Sequence, residues 1–159
     1  MCLMVWIGTA RALPVVAEAR TEGAADHYHV DPLAADAPIR RHFTAPHVAY
    51  VGAHEGCGCG FNSRMAEFEG FTAVADVLAL ASAMTDEERD AFLAEQHSRE
   101  RLDALIKDAL VDGPVEVYAC WAGDEEMPSD REELVEVGWV VKSLAPFSER
   151  VRYAIRARA

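Results

Sequence analysis

A chain of 159 residues that is 51% hydrophobic, 8% aromatic and 26% charged can bury one ordinary core and is too apolar to be a disordered segment. Its formal net charge is -12, with 27 acidic against 15 basic residues. That balance excludes a nucleic-acid backbone or an anionic membrane as the main partner, because both recruit clustered Lys and Arg.

The apolar start Met1–Ile7 has no basic leader and stops at Gly8, so it reads as a first strand over Cys2–Gly8 rather than a targeting segment. No apolar stretch reaches the length of a membrane span, and the expectation is a cytoplasmic protein. Thr9–Glu22, with Pro14 and many small residues, reads as a connection, and His27-Tyr28-His29-Val30 as a short strand. Asp36 is placed to cap a short helix reaching His42, with Pro38 in its first turn. His47–Gly52 is the next strand, bounded by Pro46 and by a loop carrying Gly52, Gly56, Gly58 and Gly60. Glycines at that density mean unusual backbone angles or a close backbone approach.

Two helices follow. The first is expected over 65–84, where Phe71, Val74, Leu78 and Ala81 make one apolar face. The second opens at Thr85 with Glu88 three residues on, a capping box, and stops near Val111 before Asp112-Gly113-Pro114. Leu102, Leu105, Ile106, Ala109 and Leu110 are its buried stripe, extended by Phe92 and Leu93. Glu95, Arg99, Glu100, Arg101 and Asp103 read as its solvated face. Val115–Trp121 is the clearest strand. In the acidic stretch after it, Ser129 with Glu132 suggests a capped helical turn, Val137–Val141 reads as strand, and Val151, Tyr153 and Ile155 alternate with arginines in a last strand. The fold class is α+β, a mostly antiparallel sheet with two main helices packed on one face, in a single domain spanning 1–159.

The chemistry-bearing residues are the cysteines. Without an export signal, Cys2, Cys57, Cys59 and Cys120 are better read as metal ligands, redox thiols, a nucleophile or core residues than as disulfides. If the first strand pairs antiparallel with both the strand ending at Val51 and the strand ending at Trp121, all four gather at one end of the sheet. The first reading is therefore a metal or cofactor site, with Cys2, Cys57, Cys59 and Cys120 holding zinc, copper or iron through thiolates. A metal-free thiol enzyme is the runner-up. It has three forms: a Cys57–Cys59 redox pair, a strained and therefore oxidising disulfide; Cys57 or Cys59 as nucleophile with His54 as base and Glu55 orienting; or Cys2 as an N-terminal nucleophile once Met1 is removed. His29 or His47 would serve better than His54 as base if the sheet brings either in. A non-catalytic binding module is the third reading. In every case the expected partner is a small molecule or a metal.

Other polar groups carry less. His27 with His29, and Asp124, Glu125 and Glu126, could hold a cation but read as surface. Trp6, Trp121 and Trp139 read as core or rim, and Arg64 as a helix-opening cation facing a substrate or Glu67.

The Met1-Cys2 start with Gly8-Thr9 and Leu13-Pro14, then His54-Glu55-Gly56-Cys57-Gly58-Cys59-Gly60-Phe61, then Tyr118-Ala119-Cys120-Trp121 before an acidic loop, resembles a group of small uncharacterised bacterial proteins. The resemblance covers most of the chain. It implies a bacterial cytosolic source and carries over no activity, cofactor or catalytic residue.

Overall fold

The computed structural model describes residues 2–17, 28–54, 56–63, 66, 73–80 and 83–157. Within them a six-stranded mixed sheet carries helices on one face. The strands are β1 (Leu3–Thr9), β2 (His29–Pro32), β3 (His47–Gly52), β4 (Val115–Trp121), β5 (Arg131–Glu136) and β6 (Val151–Arg156). Their order is β2-β3-β1-β4-β6-β5, and every pairing is antiparallel except β5 with β6. The helices are α1 (Val74–Ala79), the long α2 (Asp86–Leu110) and the one-turn α3 (Trp139–Lys142), with 3-10 turns at Pro38–His42 and Gly58–Phe61.

Period-two alternation sorts the side chains into two cores. Leu3, Val5 and Ile7 of β1, with Val117 and Ala119 of β4, face α2 and meet Leu102, Ile106 and Ala109 there. Full burial of each large aliphatic side chain contributes about 1.5–3 kcal/mol. Trp6 of β1 with Tyr118 and Cys120 of β4 faces the other way, into a smaller core closed by Ile39 of the first 3-10 turn. Glu116 projects from β4 near that turn, and its carboxylate accepts from the Thr44 amide at 2.8 Å, the Thr44 hydroxyl at 2.6 Å and the Ala45 amide at 3.1 Å, fixing the entry to β3.

The expected antiparallel partners of β1 are the observed ones, β3 and β4. The Thr85–Glu88 capping box opens α2 as read. Other expectations need correction. Asp36 does not cap the first 3-10 turn, whose N-cap is Ala37 with no side-chain bond. Arg131–Glu136 is an edge strand rather than a capped turn, because β6 offers it a ladder in which Glu132 and Glu136 meet their register partners Arg152 and Arg156 at 2.6 and 3.2 Å. Gly138, at φ 89°, turns the chain after β5, so Trp139-Val140-Val141 winds into α3 instead of extending as strand. Leu93 is half exposed while Phe92 is buried.

Two main helices are not established. Of the helix expected over 65–84, the described part is the six-residue α1, and residues 65, 67–72, 81 and 82 lie outside the described residues, as does His27. Among the described residues no helix is long and apolar enough to cross a membrane.

Candidate functional site

The largest departure from the sequence reading lies along α2. Glu95, Arg99 and Asp103, one turn apart along α2, are buried rather than solvated. Arg99 has no exposed surface, and one of its terminal nitrogens donates to the Phe61 carbonyl at 3.2 Å. Glu95 accepts from the Ser63 hydroxyl. The Ser98 hydroxyl, also buried, takes the His54 amide at 3.2 Å and lies 3.1 Å from His54 Nδ1. This face of α2 therefore grips both ends of the loop. On the exit side, Asn62 and Phe147 bond reciprocally, Nδ2 to carbonyl at 2.8 Å and amide to Oδ1 at 3.1 Å.

The loop itself is seated on β1. Gly58 lies so close that a Cβ there would stand 2.5 Å from Val5 Cγ2 and 2.9 Å from the Leu3 carbonyl oxygen. That contact brings the Leu3 amide to Cys59, donating to its Sγ at 3.1 Å. Cys57 stands beside it. Burial pushes the Cys57 thiol up to about 12, helped by a side-chain hydrogen bond to Cys59 that favours the proton, against the Cys59 amide, which opposes it; the charges of Cys59 and Cys2 push the same way as burial. All four cysteines are free thiols: Cys2 is exposed, Cys57 and Cys59 are half-buried, and Cys120 is buried.

The loop thus brings Cys57 and Cys59 together, the charge of Cys2 reaches Cys57, and Cys120 is not brought to them. Cys120 is the register partner of Met4, and alternation turns it to the face opposite α2, among Trp6 and Tyr118, whereas Cys59 packs against the α2-side core. The charges that reach Cys120 are those of Glu125, Asp124 and Glu149, not of another cysteine. The expected four-way meeting at the sheet end therefore does not follow from the observed register. Among the described residues no group of three or more His, Cys, Asp or Glu side chains is arranged to hold a metal ion.

The histidines divide similarly. His47 pairs with Thr9 at the far end of the sheet, while His29 pairs with Gly52 at the cysteine end. His29 is buried over Gly52, where an added Cβ would lie 1.9 Å from its Cε1. Its Nε2 is 3.5 Å from Asp31 and its Nδ1 is buried without a hydrogen-bond partner among the described residues. His54 packs its ring over Gly60. Glu55 and Arg64 lie outside the described residues. The Glu125 carboxylate accepts from the Gly123 amide at 3.1 and 3.0 Å, and the Glu125 carbonyl oxygen lies 3.0 Å from His42 Nε2 of the first 3-10 turn.

Sequence reasoning missed Tyr50. Its hydroxyl donates to the Gly56 carbonyl at 3.3 Å, and its ring contacts both Trp6 and His29, with centroids 6.0 and 5.4 Å away. Burial, then the charges of Cys57, Cys2, Cys59 and Asp31, drive its ionisation well above the ordinary range. The available signal was Tyr50 two residues before Gly52 on an alternating strand, which fixes it on the same face and at the same end as His29.

The thiols give the protein an alkaline liability. Cys57 and Cys120 are both raised by burial from the ordinary 9.0 to about 12. In the unfolded chain they ionise first, so the stability they contribute is complete below pH 9.0 and is lost as pH rises towards about 12. Urea midpoints measured across that window should fall for the wild type and fall less steeply for Cys120→Ala.

Comparison with known protein families, with curated proteins and with solved structures finds no match for this chain.

Proposed function

We propose that the chain is a thiol-redox protein in which Cys57 and Cys59 cycle between a dithiol and a disulfide. The observation that carries this reading is the pairing of the two side chains. Cys57 keeps its proton and shares it with Cys59, and Cys59 Sγ also accepts the Leu3 amide at 3.1 Å. An attacking sulfur needs donors around it and an adjacent resolving thiol. Cys59, as thiolate, attacks one sulfur of a substrate disulfide, forming a mixed disulfide and releasing one thiol. Cys57 then gives up its proton and attacks Cys59 Sγ, releasing the second thiol. Two electrons pass from the pair to the substrate, which is reduced while the pair is oxidised; the protons lost by Cys59 and Cys57 go to solvent, which returns two protons to the released thiolates. The reading carries with it a reducing, cytosolic setting in which the pair rests as free thiols.

Intact-mass measurement after equilibration with oxidised glutathione tests it. The wild type should lose two hydrogens reversibly, with the bond mapped to the Cys57/Cys59 peptide. Cys57→Ser and Cys59→Ser should not form it. A wild type that keeps both thiols at every ratio of oxidised to reduced glutathione sinks the reading.

A thiolate-bound metal is the second reading, favoured by Cys2, whose charge reaches Cys57. Two thiols one residue apart on a tight loop suit a soft cation of low coordination number such as Cu(I). The tetrahedral donor set of zinc or an iron–sulfur cluster finds no counterpart among the described residues.

A further inference from the structure

We propose that Cys2 is a third working thiol, an exposed entry point that exchanges with a small external disulfide and passes the oxidation inward to Cys59. The inference rests on the dithiol reading of Cys57 and Cys59. It comes from a gradient of exposure over a short distance. Cys2 is exposed, and the pair is half-buried.

Cys2 is also held in place. Its carbonyl accepts the Ala122 amide at 2.9 Å, which fixes its backbone at the head of β1. The next amide along the chain is the Leu3 N–H that touches Cys59 Sγ at 3.1 Å. Ordinary bond lengths then put the Cys2 Cα within about 5.5 Å of the Cys59 sulfur. A Cys2–Cys59 bond then needs the exposed strand end to move until the two Cα atoms stand within the roughly 4.4–6.8 Å of bridged cysteines. The seat of Gly58 against Val5 and the Leu3 carbonyl keeps Cys59 from moving far the other way. A bulky disulfide substrate thus meets Cys2 in solvent before it meets sulfurs that lie between β1 and the loop.

The relay balances. Cys2 thiolate attacks a disulfide of the glutathione class, taking one half as a mixed disulfide and releasing the other as thiolate. Cys59 thiolate attacks Cys2 Sγ, forming a Cys2–Cys59 bond and releasing the second half. Cys57 loses its proton to solvent and attacks Cys59 Sγ, which frees Cys2 as thiolate. The external disulfide is reduced to two thiols, the Cys57–Cys59 pair is oxidised, and Cys2 is regenerated.

The test is a quenched-flow comparison of the full chain with Cys2→Ser, using oxidised glutathione as the probe and mapped disulfides as the readout. The Cys57–Cys59 bond should form about tenfold or more slowly in Cys2→Ser. The glutathione ratio at half-oxidation should be unchanged, because Cys2 is absent from the final bond; a merely structural effect would not separate rate from equilibrium in this way. Cys57→Ser should accumulate a Cys2–Cys59 disulfide. A wild-type rate in Cys2→Ser, or a Cys57→Ser protein that carries glutathione on Cys59 and never links to Cys2, overturns the relay alone. A wild type that forms no Cys57–Cys59 bond overturns the dithiol reading and the relay with it.

Discussion

Arg99→Met is expected to destabilise the fold by about 1–3 kcal/mol, the range for leaving a buried polar group without its hydrogen-bond partner. Arg99 has no exposed surface, and burial lowers its pKa to about 10 despite the opposing charges of Glu95 and Glu100. The folded protein thus holds a charged side chain away from water at a real electrostatic cost. The return is geometric. The guanidinium supplies the donor for the Phe61 carbonyl at 3.2 Å and spans to Gln96 Oε1 at 3.1 Å, tying the loop exit to α2. Methionine fills similar volume but leaves the buried Phe61 carbonyl without this donor. Urea denaturation measures the loss, and Glu95→Gln combined with Arg99→Met should recover part of it through a double-mutant cycle. A cost below about 1 kcal/mol would mean that the loop is held by something else.

Gly58→Ala should strike the site more locally. A Cβ 2.5 Å from Val5 Cγ2 and 2.9 Å from the Leu3 oxygen has no room, and the second obstacle is backbone in the interior of the sheet. Leu3 is paired with Trp121 of β4, and Val5 is paired on both sides, so the loop must lift instead. Overpacking of this kind costs about 1–3 kcal/mol. Lifting the loop also separates Cys59 Sγ from the Leu3 amide and exposes both thiols. Labelling by a thiol reagent at neutral pH should therefore speed up at Cys57 and Cys59 while Cys120, across the sheet, stays protected. Unchanged labelling together with unchanged stability would show that the loop is not seated by this contact.

Those two residues also mark where sequence was informative and where it was not. The glycine-dense loop announced itself, because glycines between a strand and a helix signal a close backbone approach, and Gly58 makes one. The strands β3 and β4 and the Thr85–Glu88 cap followed from local pattern. Arg99 was invisible for a physical reason. Charged residues spaced by one helical turn look the same whether water or a polar loop lies over them, and only tertiary contact with Phe61 and Ser63 decides. β5 was missed because Arg131-Glu132-Glu133-Leu134-Val135-Glu136 has no strand-like composition. Its extended state depends on the ladder and ion pairs that β6 provides. The cysteine cluster was half legible: strand order brings Cys2 to the loop, but which face Cys120 takes depends on register, and a shift of one residue would reverse it.

The charged rungs of β5 have another effect. A sheet ends in rows of open amides and carbonyls that another chain can extend, and its two borders decide whether molecules stack. One border here is β2, four residues long and ending in Pro32, which brings no N–H. The other is β5, where Glu132 and Glu136 are already neutralised by Arg152 and Arg156 across the rung and Arg131 is held by Glu133 at 2.7 Å. An incoming strand would have to strip water from a dense row of satisfied charges to gain its backbone bonds. The same pairs that recruit β5 into the sheet therefore oppose the addition of a seventh strand, and salt that screens them would weaken that guard first.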